Sequence, residues 1–171
     1  DALLLGPGWG REETTGEFLR RLLSGGEHLQ RRGIGFVAER ETSHEAKTVL
    51  PPLVIDADGL RLLAKLPNWS DLLPEGTILT PHPGEMAALT GWTVDQIQAD
   101  RIEAALHFAA LWKQVVVLKG AFTVVASPDG KITVIPVATA ALAHPGTGDV
   151  LSGILVGLRA QGGEAYAVAV A

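Results

Sequence analysis

The chain has 171 residues, of which 47% are hydrophobic and 19% charged, with a formal net charge of −5 and no cysteine. This length and composition suffice for one domain with a hydrophobic core, and the acidic balance argues against a nucleic-acid partner. The lack of cysteine excludes disulfides and thiolate metal sites. The start has no basic n-region of a signal peptide, and no uncharged apolar run reaches membrane-spanning length, so we expect a cytoplasmic protein without a membrane partner.

Both ends of the sequence fall inside patterns of regular structure. The chain begins within the strand-like run Ala2–Leu5 and ends within the helix-like run EAYAVAVA, which lacks a cap. We therefore expect a single domain over residues 1–171 that is truncated at both ends. A small complete protein with frayed ends is the alternative.

The first half of the chain alternates buried strands with helical periodicity. Ala2–Leu5 predicts a strand followed by the glycine turn GPGWG, and Thr15–Leu23 has helical spacing. PLVIDADGL predicts a second buried strand, with a short helix over Gly59–Leu66. Residues 24–47 are polar, glycine-rich and weakly periodic, which fits a short helix or a variable insertion.

The second half continues the alternation. It predicts a strand at Thr77–Thr80, a helix from about Gly84, a long amphipathic helix over Val94–Leu111, a strand in QVVVLKG, a β-hairpin turning at Pro128-Asp129-Gly130, and a helix that follows GTGD and ends near Gly162-Gly163. Strands that are apolar on both faces indicate an α/β fold with a mostly parallel sheet flanked by helices. Ligands of such sheets bind at the carboxyl ends of the strands, where the glycines of GPGWG, Asp56, Asp58, His82 and Lys119 fall.

The segment GTGDVLSG places Asp149 beside glycines at the start of an apolar helix. Glycines let backbone N–H groups converge on an anion, and the helix dipole adds to the attraction. Asp149 is then either a base that accepts a proton from a hydroxyl attacking a bound phosphate, or simply the N-cap of the helix.

Two other strand ends allow a structural and a functional interpretation. In TPHPGE, two prolines hold His82 rigidly, which suits either a ligand contact or an ordinary turn. In VVVLKGAFTVV, Lys119 is either a phosphate contact or a lysine that extends into solvent. DADG fits an Asx turn better than a metal or ribose site. No spacing of histidines or acids indicates a metal held by the protein.

Taken together, GPGWGR, VIDADGL, LTPHPGEMAALTG, VVVLKGAFTVVASPDG and GTGDVLSGILVGL resemble, in this order, the ADP/ATP-dependent NAD(P)H-hydrate dehydratases. The resemblance covers nearly the whole chain except the region from Gly25 to Leu50. It implies a three-layer ribokinase-like fold and the repair of hydrated NADH or NADPH (NADHX or NADPHX) with ADP or ATP and Mg²⁺. It also implies a homo-oligomer, and an epimerase as a fused or separate partner.

The resemblance assigns a role to each matching residue. Asp149 is the base that contacts the hydrate, and His82 and Gly8 bind the hydrated dinucleotide. The nucleotide is contacted by Lys119, Gly120, Ala121, Phe122, Thr123, Gly146, Thr147 and Gly148, of which the last three form an anion hole.

The sequence departs from the family at two places. Ala140, Ala141, His144 and Pro145 stand where a glycine-rich run is usual, and Phe122 stands where glycine is common.

Two alternative functions remain open. One is a ribokinase-like kinase of a vitamin precursor or sugar, and the other is a non-catalytic nucleotide-binding module.

Overall fold

A computed structural model of the chain describes residues 1–25, 50–139 and 144–171. The expected helix or insertion over residues 24–47 and the departures at Ala140 and Ala141 therefore lie essentially outside the described residues. The strands are β1 (Leu3–Leu5), β2 (Leu53–Ile55), β3 (Ile78–Leu79), β4 (Val115–Leu118), β5 (Val124–Ala126) and β6 (Ile132–Val134). The helices are α1 (Glu13–Leu23), α2 (Asp58–Leu63), α3 (Pro83–Thr90), α4 (Val94–Ala99), α5 (Arg101–Trp112), α6 (Thr147–Ala160) and α7 (Ala165–Val170), with a 3₁₀ turn at Trp69–Leu72.

The six strands form a single sheet in chain order, from β1 to β6. Strands β1 to β4 run parallel, whereas β5 and β6 each pair antiparallel with the preceding strand. Ile55 lies opposite Leu79, and Leu79 lies opposite Val116, so β2 and β3 end level with each other and β4 extends two residues further. The mostly parallel sheet and the predicted hairpin are both confirmed.

Helices cover both faces of this sheet. Along β2, Leu53 and Ile55 point into the core shared with α1 to α5, while Val54 points to the opposite face. Alternation of this kind follows from the two-residue repeat of a strand, and it explains why every position of β2 is apolar. On the second face, Leu155 of α6 and Val168 of α7 pack against the strands. The predicted three-layer arrangement is therefore present.

The prediction of one long helix over Val94–Leu111 is wrong. Asp100 is extended, with φ −146° and ψ 90°, and it separates α4 from α5. Its side chain accepts a hydrogen bond of 2.9 Å from the N–H of Glu103, which makes Asp100 the N-cap of α5. The hydrophobic repeat continues across this break and conceals it. The consequence is that Arg101 lies at the start of a new helix, below the loop that follows β4.

Three aromatic residues pack together in the core shared with α1 to α5. Trp69 and Trp112 are buried, with ring centroids 4.8 Å apart, and Phe108 lies 4.9 Å from Trp112. Within the described ranges, no helix has the length and apolar character that crossing a membrane requires.

Candidate active site

Three strand ends and one helix start meet at the carboxyl edge of the sheet. Asp56 directly follows β2, His82 comes three residues after β3 ends, and Lys119 directly follows β4. The start of α6 lies against them: a Cβ added to Gly148 would lie 3.4 Å from Lys119 Nζ and 3.6 Å from Asp56 Oδ2. The prediction that the strand-end residues share one edge is therefore confirmed for this group.

The ammonium of Lys119 is held by acidic partners. Its Nζ lies 2.6 Å from Asp56 Oδ1 and 3.9 Å from Glu85 Oε2. The Asp56 side chain is 1% exposed and that of Lys119 20%, so this lysine does not extend freely into solvent. The structure thus contradicts the interpretation of Lys119 as a solvent-directed strand-end lysine. It fixes a cation at the floor of the site, next to Gly148.

His82 caps α3. Its Nδ1 accepts hydrogen bonds from the N–H groups of Gly84, at 2.9 Å, and Glu85, at 3.3 Å. The Glu85 carboxylate in turn accepts the N–H of His82 and lies 3.3 Å from Nε2. Because Nδ1 is an acceptor, the neutral ring carries its proton on Nε2. Burial lowers the pKa of His82, and Lys119 acts in the same direction, whereas Glu85 opposes the shift.

The N-cap of α6 is not Asp149, the residue that the capping interpretation names. Gly146, in a left-handed conformation with φ +92°, is the N-cap, and Asp149 is the third residue of the helix. The N-cap interpretation of Asp149 is therefore wrong. Asp149 is exposed, and its carboxylate makes no hydrogen bond or ion pair with the residues that the structure describes.

The first turn of α6 offers donors to an anion. The first backbone bond of the helix runs from Val150 N–H to Gly146 O, at 3.1 Å. The N–H groups of Gly148 and Asp149 precede it and have no acceptor within the helix. They lie at the positive end of the helix dipole, close to the Lys119 ammonium. This arrangement suits a phosphate group.

The loop Lys119–Thr123 connects β4 to β5. Phe122 has φ +56°, a left-handed conformation that glycine adopts without cost, and its side chain is 52% exposed. The conformation explains why glycine is suited to this position. The N–H of Phe122 donates to Val137 O at 3.2 Å, and Thr123 Oγ1 donates to Gly120 O at 3.1 Å.

Gly8 lies in the turn after β1, exposed and with φ +72°. Asp58 supports this turn, because its carboxylate accepts the N–H of Gly10 at 3.1 Å and the Nε of Arg11 at 2.8 Å. The hydrogen bond from Arg11 is the main reason that the pKa of Asp58 lies below its usual value. Asp58 is therefore part of the scaffold that presents Gly8.

Four residues that organise the site are not among the predicted site residues. The DADG segment, which contains Asp56 and Asp58, is predicted as an Asx turn, and no binding or catalytic role is predicted for Glu85 or Arg101. Asp56 does make the local bond expected of such a turn, since its Oδ1 accepts the N–H of Ala57 at 2.8 Å. A signal for a further role was present after β2, because the two carboxylates of Asp56 and Asp58 exceed what a single turn requires.

The sequence profile of the NAD(P)H-hydrate dehydratases matches residues 1–171. The chain is 43% identical over 143 residues to the ADP-dependent (S)-NAD(P)H-hydrate dehydratase of Neisseria meningitidis serogroup B, covering 82% of the chain and 47% of that protein. It is 38% identical over 162 residues to the bifunctional NAD(P)H-hydrate repair enzyme Nnr of Moorella thermoacetica, covering 95% of the chain and 26% of that protein.

A solved structure agrees with both relatives. The Bacillus subtilis ADP/ATP-dependent NAD(P)H-hydrate dehydratase, co-crystallized with ATP/Mg²⁺, superimposes with a TM-score of 0.65 at 32% identity, over 92% of this chain and 46% of that one. The fold is thus the expected ribokinase-like α/β fold. The chain belongs to the NAD(P)H-hydrate dehydratase family. It spans between a quarter and a half of the length of the relatives described above.

Proposed function

We propose that the protein containing this chain converts hydrated NADH or NADPH back to the reduced nucleotide, with ADP or ATP as the phosphoryl donor. One observation carries the proposal: the carboxylate of Asp149, which has no partner among the described residues, lies in the same helical turn as Gly148, which adjoins the Lys119 ammonium. In this proposal a base and an anion site lie side by side. Family membership and the ATP/Mg²⁺ complex of the B. subtilis relative support the same reaction.

The chemistry requires a poor leaving group to become a good one. Asp149 accepts the proton of the hydrate's hydroxyl, whose oxygen bonds to the terminal phosphorus of the nucleotide as the bond to the bridging oxygen breaks. Phosphate then leaves with the electrons of the C–O bond, and loss of a proton from the adjacent carbon restores the double bond. Positioning and anion stabilisation account for most of the catalysis in such transfers.

The other site residues are assigned binding roles in this proposal. The loop Lys119–Thr123 and the segment Gly146–Gly148 bind the nucleotide, with the first-turn N–H groups and Lys119 on the transferred phosphate. His82 and Gly8 bind the hydrate, His82 through the proton on Nε2. The side chain of His82 is 45% exposed and its Nε2 lies 3.3 Å from Glu85 Oε1, so in this proposal the hydrate reaches Nε2 beside that carboxylate.

Magnesium fits the site as a companion of the nucleotide. Among the described residues there is no group of three or more histidines and acids that could hold a metal ion. Asp56, the buried acid nearest the anion site, is already paired with Lys119. Mg²⁺ commonly binds through substrate phosphates and water, and it would neutralise their charge here.

Replacing His82 by alanine tests the assignment of the hydrate site. The variant is expected to raise KM for the hydrate more than KM for the nucleotide, because the Nε2 donor is lost while Lys119 remains. Steady-state kinetics with each substrate varied in turn measures both constants. Equal increases in the two KM values would contradict the assignment.

Product analysis tests the reaction itself against the kinase alternative. The full-length protein is incubated with hydrated NADH, Mg²⁺ and either ADP or ATP, and the products are separated. The proposal predicts free phosphate and NADH in equal amounts. A stable phosphorylated product would indicate a kinase, and nucleotide binding without turnover would indicate a binding module.

We propose further that the protein acts in the cytoplasm as a homo-oligomer, with an epimerase on the same or a separate chain. The M. thermoacetica relative is described as bifunctional, which supports a second activity in that protein. Light scattering of the full-length protein measures the oligomeric state.

A further inference from the structure

Arg101, at the start of α5, supports the loop Lys119–Thr123 from below. Its Nη2 donates to the carbonyl of Leu118 at 2.9 Å, and its Nη1 donates to the carbonyl of Ala121 at 2.5 Å. The two carbonyls lie on either side of Gly120. A single guanidinium therefore bridges the end of β4 and the far side of the turn.

Gly120 lies directly on this guanidinium. A Cβ at position 120 would lie 2.8 Å from Nη2 and 3.1 Å from Cζ of Arg101. Contacts below 3.0 Å are not tolerated without a shift, and φ of Gly120 is +153°. Glycine at position 120 thus allows the loop backbone to lie flat against the arginine.

The peptide groups that Arg101 holds are also fixed on their opposite sides. In the peptide group between Leu118 and Lys119, the N–H of Lys119 donates to Pro81 O at 2.8 Å. The peptide that carries Ala121 O has its N–H on Phe122, which donates to Val137 O. Removing Arg101 would release the carbonyl side of both peptides.

The charge of Arg101 lacks an acidic partner among the residues that the structure describes. Its two hydrogen bonds go to neutral carbonyls, and its Nε is buried without an acceptor. Burial alone lowers the pKa of the group. A desolvated cation without a carboxylate is costly for the free protein, and a nearby anion would offset this cost.

We propose that Arg101 is a positioning residue for the nucleotide: it holds the loop Lys119–Thr123 in the binding conformation. This inference rests on the proposed function, which places the nucleotide on that loop. The planar fork is essential, because it reaches two carbonyls at once. A lysine retains the charge but offers a single point of contact.

The test compares Arg101→Lys and Arg101→Met with a matched control, Arg159→Lys. Arg159, near the end of α6, also donates to a backbone carbonyl, Gly163 O at 2.5 Å, and its Nε is likewise buried and unpartnered. It lies ten residues from Asp149 along α6, about 15 Å at the helical rise. KM for ADP or ATP, KM for hydrated NADH, kcat and the thermal midpoint are measured for each variant of the full-length protein.

Both substitutions at Arg101 are expected to raise KM for the nucleotide by about tenfold or more, a loss typical of a broken charge-assisted pair of bonds. KM for the hydrate is expected to stay within about twofold of the wild-type value, which is the usual scatter among neutral substitutions. Arg159→Lys lowers the thermal midpoint comparably and leaves both KM values unchanged. If Arg101→Met does not fold, Arg101→Lys, which keeps the aliphatic stem and the charge but not the fork, decides the inference.

Unchanged nucleotide KM in folded Arg101→Lys, or equal increases for both substrates, would overturn the inference. Binding of ADP or ATP by the wild-type protein distinguishes failure of this inference from failure of the proposed function. If the wild type does not bind ADP or ATP in calorimetry, the proposed function fails. If it binds and the Arg101 variants bind equally well, the positioning role alone fails.

Discussion

At the scale of single residues, the proposed site depends on the Asp149 carboxylate, which has no partner in the part of the chain that the structure describes. A carboxylate that capped α6 would be occupied by backbone N–H groups, but Gly146 has taken that position. Asp149 is instead the third residue of α6, in the first turn of the helix. Its carboxylate is exposed and is therefore accessible to a hydroxyl group of a bound ligand.

Asp149→Asn is expected to lower kcat by about a hundredfold or more, the usual contribution of a general base. Nucleotide affinity is expected to change by less than about threefold, because the first-turn N–H groups and Lys119 remain. Stopped assays give kcat, and isothermal titration gives the affinity. A variant with near wild-type kcat would show that Asp149 has no role in proton transfer.

His82 predicts a specific dependence of stability on pH. Its folded pKa lies below the unfolded value of 6.5, so the unfolded state takes up the proton first as the pH falls. The corresponding stability is present above pH 6.5 and is lost as the pH decreases through that value towards the folded pKa. Asn at position 82 retains capping ability and does not titrate.

Urea unfolding of wild type and His82→Asn between pH 8 and pH 5, on either side of the unfolded pKa of about 6.5, measures this effect. The difference in unfolding free energy is expected to be constant at the alkaline end and to shift in favour of the variant at the acidic end. A constant difference over the whole range would show that His82 retains an unperturbed pKa.

At the scale of elements, the first two strand ends are locked by backbone contact. A Cβ on Gly6 would lie 1.9 Å from Asp56 O and 2.5 Å from Gly59 N. A Cβ on Gly59 would lie 2.8 Å from Leu5 O. The two glycines therefore let the turns after β1 and β2 pack directly, which positions Asp56 and the turn that contains Gly8.

Gly6→Ala is expected to destabilise the fold by about 3 kcal/mol or more, because the collision is with backbone that cannot move aside. Gly153→Ala is the matched control: this exposed position in α6 has open space around it and alanine favours a helix by up to about 1 kcal/mol. Denaturant unfolding measures both. Equal stability of the two variants would contradict the close packing of the turns.

The elements themselves were largely predictable from local patterns. β2 and β4 are continuous apolar runs, and the hairpin has Asp129-Gly130 at its turn, so periodicity and turn residues suffice. The break at Asp100 was missed because the apolar repeat runs through it, and a single capping aspartate was the signal against continuity. Helix caps are thus recognised poorly where the flanking periodicity is strong.

The contacts of the site were less predictable than its location. The parallel order of the strands brings their ends together, and this much follows from the α/β pattern. The pairing of Lys119 with Asp56 joins residues 63 positions apart, and the bridge from Arg101 to Ala121 crosses from a helix to a loop. Such pairings depend on strand register and side-chain direction, which a single sequence does not encode locally.

At the scale of the whole molecule, the Lys119–Asp56 pair joins the ends of β2 and β4 across β3. Lys119→Met leaves the buried Asp56 carboxylate without its partner, a change that costs about 3–5 kcal/mol in comparable pairs. Adding Asp56→Asn removes the isolated charge and keeps an acceptor for the N–H of Ala57. The double variant is expected to recover more than half of the lost stability.

Nucleotide binding by these variants distinguishes the structural role of Lys119 from its role in binding the nucleotide. The double variant is expected to remain unable to bind ADP or ATP tightly, because the ammonium beside Gly148 is still missing. Denaturant unfolding and calorimetry are measured on the wild type, on each single variant and on the double variant. Full recovery of nucleotide affinity in the double variant would show that Lys119 has a structural role only.

The return of reduced-nicotinamide absorbance tests the central claim most directly. The full-length protein and its Asp149→Asn variant receive hydrated NADH and Mg²⁺, with ADP, with ATP or with no nucleotide. We predict recovery of absorbance by the wild type only when a nucleotide is present, and none by the variant. Absence of recovery from a folded wild-type protein that binds the nucleotide would contradict the dehydratase function.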